Sequence, residues 1–337
     1  MTIAGEKFVA VTVTYGSRWP LLSRVLGALE HESIVDEVVV IDNGSKPTAE
    51  ELIREIGFKK PTIIRNESNQ GSAKAFGHGI EAALERGAEW VWILDDDNLP
   101  RPGALASLVE AYIDESAVTP HDQLAMLAFR PEHQADVAHG VPLDRVHPRP
   151  GSFRGFHILD IPYKIWRRTP WGCPHASAGS PARLVMPDAP YSGLLFRREL
   201  IDVIGLPNPE FVLYADDNEY TYRITRRGGR IVLVTGSRLD DLESSWNVKA
   251  RFGNSFDGLL CGEGDFRAYY GMRNGTYYDY IRWRGYPLEL WLNRMLYLAI
   301  LYIFALLRGR RQRYRLLRQA IYDGLSGRLG MHPNFPL

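Results

Sequence analysis

Only two cysteines occur in 337 residues, Cys173 and Cys261, far apart and without metal-ligand spacing. That excludes a disulfide framework and a thiolate zinc site, and it points to a reducing compartment. No GxxxxGK[ST] run occurs, which disfavours a P-loop nucleotide hydrolase. No GxGxxG follows the first strand-like segment, where TYGSRWP stands instead, so a dinucleotide dehydrogenase is disfavoured as well. Long hydrophobic runs are also scarce. The most apolar stretch, Leu288–Leu307, is free of charged or strongly polar side chains only over the thirteen residues Met295–Leu307, too few to cross a bilayer upright. MTIAGEKF runs straight into a strand-like segment with no signal-peptide pattern, giving the expectation of a cytoplasmic chain.

What is present is an alternation. Phe8–Tyr15, Val35–Ser45, Thr62–Asn66 and Trp90–Leu94 are short apolar or β-branched runs. Between them Pro20–Leu29, Ala49–Ile56 and Ser72–Glu85 carry helical spacing, with Leu22, Val25, Leu26 and Leu29 on one face. This predicts an α/β fold: a mostly parallel sheet flanked by helices, with ligands beyond the carboxyl ends of the strands. Thr14–Tyr15, Asp42–Asn43–Gly44 and Asp95–Asp96–Asp97 all fall at such ends and are expected to share one crevice. A helix is expected over 102–113, strands over 123–130 and 230–236, a strand and helix over 191–205, and a helix after the loop at 211–215. Residues 131–190, rich in Pro, Gly, His and Arg, read as a long functional loop. Its histidines, His133, His139, His147, His157 and His175, lack ligand spacing and read as ordinary loop residues.

Three aspartates closing an apolar strand repel one another and lose solvation near a core. A hard divalent cation offsets both penalties; an acidic turn capping the next helix is the alternative. NQGSAKAFGHG (Asn69–Gly79) is glycine-rich and opens a helix, which lets backbone amides approach a phosphate. A second group, Asp216, Asp217 and Glu219, is too dense for capping alone. One carboxylate can cap while another stays available to take a proton. A metal on a departing diphosphate and a base for an incoming hydroxyl are complementary tasks.

In order along the chain, VTVTYGSR, VVVIDNGS, NESNQGSAKAFGHGI and WVWILDDDNLP resemble the nucleotide-sugar half of family 2 glycosyltransferases. YSGLLFRRELIDVIGLPNPEFVLYADDNEYTYRI resembles the acceptor half, nearest to galactofuranosyl- and rhamnosyltransferase-like members, and YYGMRNGTYYDY (Tyr269–Tyr280) their late aromatic segment. The ordered set is far more specific than any one motif. The resemblance implies a GT-A-type domain over 1–285, with a donor half to residue 100 and an acceptor half after it, followed by amphipathic, basic helices over 286–337. It implies an inverting, metal-dependent transfer of a galactofuranose- or rhamnose-like hexosyl residue. The donor would be a nucleoside-diphosphate sugar, the acceptor a hydroxyl of a glycan or polyprenyl-linked glycan, the cofactor Mn2+ or Mg2+. Carried over residue by residue, Thr14, Tyr15 and Asn43 would line the nucleotide site and Asp42 would contact the base. Gly71 and Ala73 would admit nucleotide and sugar, Asp95 and Asp96 would lie on the donor, and Asp95 with Asp97 would hold the metal. Asp217 would be the base, flanked by Asp216 and Glu219; a helix-capping Asp217 with Asp216 as base stays open. Related enzymes place a metal-binding histidine after the strand matching RIVLVTG, but RLDDLESSWN has none, leaving Asp241, Glu243 or water as third ligand. Trp166, Trp171, Trp246 and Tyr270 are candidates for sugar stacking, but a structural role is the favoured reading of each. Two other readings are a sugar-1-phosphate nucleotidyltransferase and a non-catalytic nucleotide-sugar-binding scaffold.

Formal charge is zero overall but uneven: residues 281–337 carry ten arginines against Glu289 and Asp323. RGRRQRYRLLR after the apolar stretch suits an anionic membrane surface, and hence a peripheral position on the inner face of the cell membrane. Helices packed on a second copy of the chain are the alternative. The acidic body and the lack of a reader motif argue against nucleic acid.

Overall fold

Strand β1 (Phe8–Thr14) is buried along its whole length, as its unbroken β-branched and apolar run requires of a strand covered on both faces. The computed structural model that shows this describes residues 5–337 except 139, 142, 168, 173–180, 244–251 and 253. Trp246, His139, Cys173 and His175 thus lie outside the described residues. After β1 come α1 (Trp19–Glu30), β2 (Glu37–Asn43), α2 (Ala49–Ile56), β3 (Pro61–Asn66), α3 (Ser72–Glu85) and β4 (Trp90–Asp95). Helix α1 buries the expected Leu22, Val25, Leu26 and Leu29. Helix α2 starts in a capping box, Thr48 accepting from the Glu51 amide while Glu51 accepts from the Thr48 amide, and ends at Gly57 in the left-handed conformation.

The chain continues through β5 (Asn98–Pro100), α4 (Ala104–Ser116), β6 (Leu124–Phe129) and three short helices, α5 (Ala135–Ala138), α6 (Leu143–Val146) and α7 (Ile161–Trp166). Then follow β7 (Arg183–Met186), β8 (Leu194–Arg197), α8 (Glu199–Ile204), α9 (Asp216–Arg226) and β9 (Arg230–Asp241). The last helices are α10 (Ser255–Cys261), α11 (Asp265–Arg282), α12 (Pro287–Leu307) and α13 (Arg311–Leu325).

The sheet order is β3-β2-β1-β4-β8-β6-β9-β5, with β7 also on β9. Pairing is parallel through β3-β2-β1-β4 and again between β6 and β9. Strand β8 runs antiparallel to both neighbours, and β5 and β7 run antiparallel to β9. The parallel character read from the first hundred residues therefore stops at β4. Beyond it, strands enter the sheet from loops and turns as well as from crossover helices. Strand β9 also runs five residues past the expected end at Gly236, through a register shift opposite Ala128 and Phe129, and so brings Asp241 opposite Asn98.

The described chain packs as two units. The first, Met1–Ala135, Ser180–Val212 and Asp216–Glu243, holds the sheet, with Trp90, Trp92, Val38, Val40 and Leu105 in its core. The second is Asp136–Gly179, Leu213–Ala215 and Ser244–Leu337. There α11 packs on α13 and buries Tyr269, Arg273 and Asn274. Helix α12 buries only a narrow stripe, Leu290, Asn293, Tyr297, Leu301 and Ala305.

Candidate active site

Parallel register sets the strand ends level: Thr14 lies opposite Asp42, and Val13 opposite Asp95. The carboxyl ends of β1, β2 and β4 thus open together, as the alternation requires. Thr14 Oγ1 donates to Asp96 at 2.8 Å. Arg18, in the turn between β1 and α1, holds both Asp96 oxygens through Nε at 2.9 and 3.0 Å and Asp97 through Nη2 at 3.0 Å, and its Nη1 pairs with Glu243. Its guanidinium also sits 5.2 Å from the ring centroid of Tyr15. Burial opposes the charge on Arg18, yet Asp96, Glu243 and Asp97 more than restore it, and its pKa is raised.

Asp95 is handled differently. No hydrogen bond reaches its carboxylate among the described residues; only its amide is engaged, donating to Ser192 Oγ at 3.0 Å. Burial, then the charges of Asp97, Asp96 and Asp217, push its carboxyl up to about 7 against the pull of Arg130. Burial likewise raises Asp96 to about 6 despite Arg18 and Thr14, and raises Asp97.

The second acidic group opens α9 in the same unit. Ser72, the first residue of α3, donates to Asp216 at 2.8 Å. Asp217 accepts from the Asn218 amide at 2.8 Å. Burial, then Asp216, pushes Asp217 up to about 7, with Asp188 adding to the effect and Arg130 opposing it. Asp216 rises to about 6 by burial, and Asp95 adds to it. Asp95 and this pair therefore lie close enough to feel each other's charge. Glu219 stands apart: Arg223 binds both of its oxygens, at 2.9 and 2.6 Å, and ties the helix to the carbonyls of Ile204 and Leu206.

Three non-glycine residues before α9 have left-handed backbone: Val212, Tyr214 and Ala215, with φ of 65°, 69° and 59°. Such conformations cost energy and cluster at functional sites. Within the second unit Asn274 on α11 stabilises the carbonyls of this turn, donating to those of Leu213 and Tyr214 at 2.7 and 3.1 Å. The late aromatic segment thus holds the turn at 213–215. Tyr270 in that segment is fully buried and donates to the Phe335 carbonyl, a structural role in place of sugar stacking. Trp166 is half exposed, stacked on Tyr163, and Trp171 is 84% exposed.

Several donor-side residues are occupied by the chain itself. Asp42 is fully buried and accepts from the amides of Ser45 at 2.7 Å and Ala49 at 2.9 Å, shaping the turn into α2. Asn43 binds the Asn69 side chain and accepts from Asn66 and the Gln70 amide, fixing the glycine-rich loop. Gly71 has φ of 87°, and a Cβ there would lie 2.0 Å from the Val212 carbonyl oxygen. The Ala73 amide donates to that same oxygen at 3.4 Å. These small residues bring loop 69–73 against residue 212, which leads into the second acidic group.

Two residues bonded to candidate carboxylates escaped the sequence reading, Arg18 and Arg130. Arg130 follows β6, binds Asp241 at 2.8 Å through Nε, and places its charge near Asp95, Asp97 and Asp217. Its position just beyond a strand that parallels β9 was a usable signal. Both sequence candidates for a third metal ligand are already paired: Asp241 with Arg130 and Asn98, Glu243 with Arg18. Among the described residues no group of three His, Cys, Asp or Glu side chains forms a ready metal set. Asp95 nevertheless fits a hard cation, being a half-buried, uncommitted carboxylate crowded by like charge, with Asp97 adjacent and shared with Arg18.

Residues 9–138 match the family model Glycosyl transferase family 2. Galactofuranosyltransferase GlfT1 of Mycolicibacterium smegmatis is 26% identical over 228 residues, 66% of this chain and 67% of its own length. dTDP-rhamnosyl transferase RfbF of Shigella flexneri is 21% identical over 96% of this chain and 95% of its own. The solved mannosyltransferase PcManGT from Pyrobaculum calidifontis, in complex with GDP-Man and Mn2+, superposes with a TM-score of 0.50 at 16% identity, covering 95% of this chain and 87% of that one. Against a longer solved chain the match spans 44% of its length. With motifs in family order, a strand-end crevice and these likenesses, residues 9–138 carry a family 2 glycosyltransferase domain, and the chain is similar to glycosyltransferases of GT-A-type fold.

Proposed function

We propose that the enzyme moves a hexosyl residue, with inversion, from a nucleoside-diphosphate sugar to a hydroxyl of a glycan or lipid-linked glycan in surface-polysaccharide synthesis, and that it uses a divalent cation held by Asp95 and Asp97. One observation carries this reading: the mutual charge effect between Asp95 and the Asp216–Asp217 pair, which supports a donor end and a nucleophile end in one pocket. Asp217 takes the proton of the acceptor hydroxyl as that oxygen attacks the anomeric carbon. Its carboxyl, near 7, matches proton exchange at neutral pH. Ser72 occupies Asp216, which favours Asp217 as the base and Asp216 as its positioning neighbour. A cation at Asp95 and Asp97 would offset the charge on the departing diphosphate, so no protein acid is needed there. Arg18 and Arg130 pair with the neighbouring carboxylates and contribute positive potential toward the same phosphates. Asp42 serves the donor indirectly, by shaping the β2–α2 turn.

The relatives named as galactofuranosyl- and dTDP-rhamnosyl transferases make UDP-galactofuranose and dTDP-rhamnose the first donors to test. Release of nucleoside diphosphate requiring donor, Mn2+ and a glycan acceptor together is the expected result. Pyrophosphate release from a sugar-1-phosphate and nucleoside triphosphate would replace this reading with nucleotidyl transfer, and donor binding without turnover on any acceptor would replace it with a scaffold. The proposal includes a peripheral position on the cytoplasmic face of a membrane. Its support is the outward side of α12, where Leu288, Trp291, Leu292, Ile303 and Leu307 are exposed.

A further inference from the structure

Within the second unit, a cavity of about 820 Å³ is bounded by the turn after α10, the first half of α13 and the carboxyl-terminal tail. Arg310, Arg313 and Arg315 line it, with Gln319 and His332, and Asp265 is its one acidic lining residue. Arg313 is a wall component: it donates to the carbonyls of Leu259, Gly262 and Gly264, each at 3.1 Å, and pairs with Asp265. The one acid in the lining is thereby consumed. Arg310 and Arg315 face the same cavity without an ion-pair partner among the described residues. Two solvent-exposed guanidinium groups without an ion pair at a polar hollow favour an anion there, and arginine suits phosphate oxygens in particular.

The adjoining surface narrows the class of anion. Gly309 in the wall follows the end of α12 by two residues, and there Ile303, Leu306 and Leu307 are exposed, Leu307 at 77%. A ligand combining phosphate with hydrocarbon matches both features; a free ion matches only the first. We propose that this cavity binds the phosphate headgroup of an anionic membrane lipid while the apolar side of α12 lies along the acyl region. The inference rests on the peripheral-membrane reading above and adds a defined headgroup site to it. Helix α12 then lies in the interface rather than across it, since its buried stripe keeps Asn293 and Tyr297 committed to the protein.

The test is flotation of the full-length protein with vesicles of phosphatidylcholine alone or with phosphatidylglycerol added. Wild type is expected to float with the anionic vesicles. Arg310→Gln/Arg315→Gln should weaken that partitioning roughly 30-fold, whereas Arg311→Gln/Arg318→Gln, an equal charge loss on the same helix outside the cavity lining, should weaken it less than about fivefold. Unchanged melting of each variant guards against misfolding. Equal losses in the two pairs would mean diffuse attraction and overturn the headgroup site while leaving membrane docking intact. No binding of wild type to either vesicle would overturn docking and site together. Inorganic phosphate is the second probe. Saturable phosphate binding without vesicles, lost in Arg310→Gln/Arg315→Gln, would assign the cavity to a soluble phosphate and overturn the lipid assignment.

Discussion

The two acidic clusters of the first unit share a composition and differ in how their charge is compensated. Asp96 and Asp97 are gripped by one guanidinium, Arg18, with Thr14 adding a hydroxyl. Asp216 and Asp217 receive a serine hydroxyl and a backbone amide, with no arginine among the described residues bonded to either. Though Asp96 still stands at about 6, compensation by arginine fixes a carboxylate in place and opposes the rise that burial imposes. Its absence leaves a buried carboxyl poised between its two protonation states, the condition a general base needs. Asp95 belongs to the first cluster by sequence and to the second by behaviour. It is the uncompensated member beside the two that Arg18 holds.

The sharpest way to break this contrast is at Asp217. Asp217→Asn should lower kcat on the order of 10³-fold with donor affinity nearly intact, read by nucleoside diphosphate release and by donor titration. Asp216→Asn should cost distinctly less; the reverse ranking would move the base to Asp216. Next in size is Arg18→Gln, which leaves Asp96 buried without its cation. A stability loss of about 3 kcal/mol in urea unfolding is expected, and a loss near zero would remove Arg18 as the compensating group.

The pH dependence sharpens the same contrast. Asp216 and Asp217 stand at about 6 and about 7 in the fold against an ordinary 3.8, so the folded state holds their protons more tightly than the unfolded one. Their contribution favours the fold at low pH, declines as pH rises from about 4 to about 7, and is flat above that. Asp217→Asn should flatten the fall in Tm between pH 5 and 8, while kcat/KM of the parent enzyme should rise with pH and level off above about 7. Mn2+ should raise Tm more at pH 8 than at pH 6, because at pH 6 Asp95 still carries a proton that the cation must displace. The smallest effect is expected at Glu219. Glu219→Gln should cost about 1 kcal/mol through the lost Arg223 pair and leave kcat unchanged.

Legibility followed the same division. Alternating apolar runs located β1 to β4 and α1 to α3, because period and burial are local consequences of side-chain type. Strand ends located Thr14, Asp42 and Asp95 on one edge. What escaped was partnership. Nothing local in TYGSR shows that Arg18 will hold Asp96 and Asp97, residues about eighty positions later. Nor does IDNGS show that Asp42 will be consumed by two amides, or YYGMRN that Tyr270 will be fully buried. Strand β9 was read short because GSR resembles a strand end, yet pairing with β5 carries it on to Asp241.

By itself the sequence determined the layer architecture, the crevice edge and the two groups of acids, since hydrophobic period and strand polarity fix where chain ends emerge. Only the tertiary structure decided which of those acids is ion-paired and which is left without a cation bonded to it. That outcome depends on burial and on cations brought in from remote positions, and both arise only when distant segments pack.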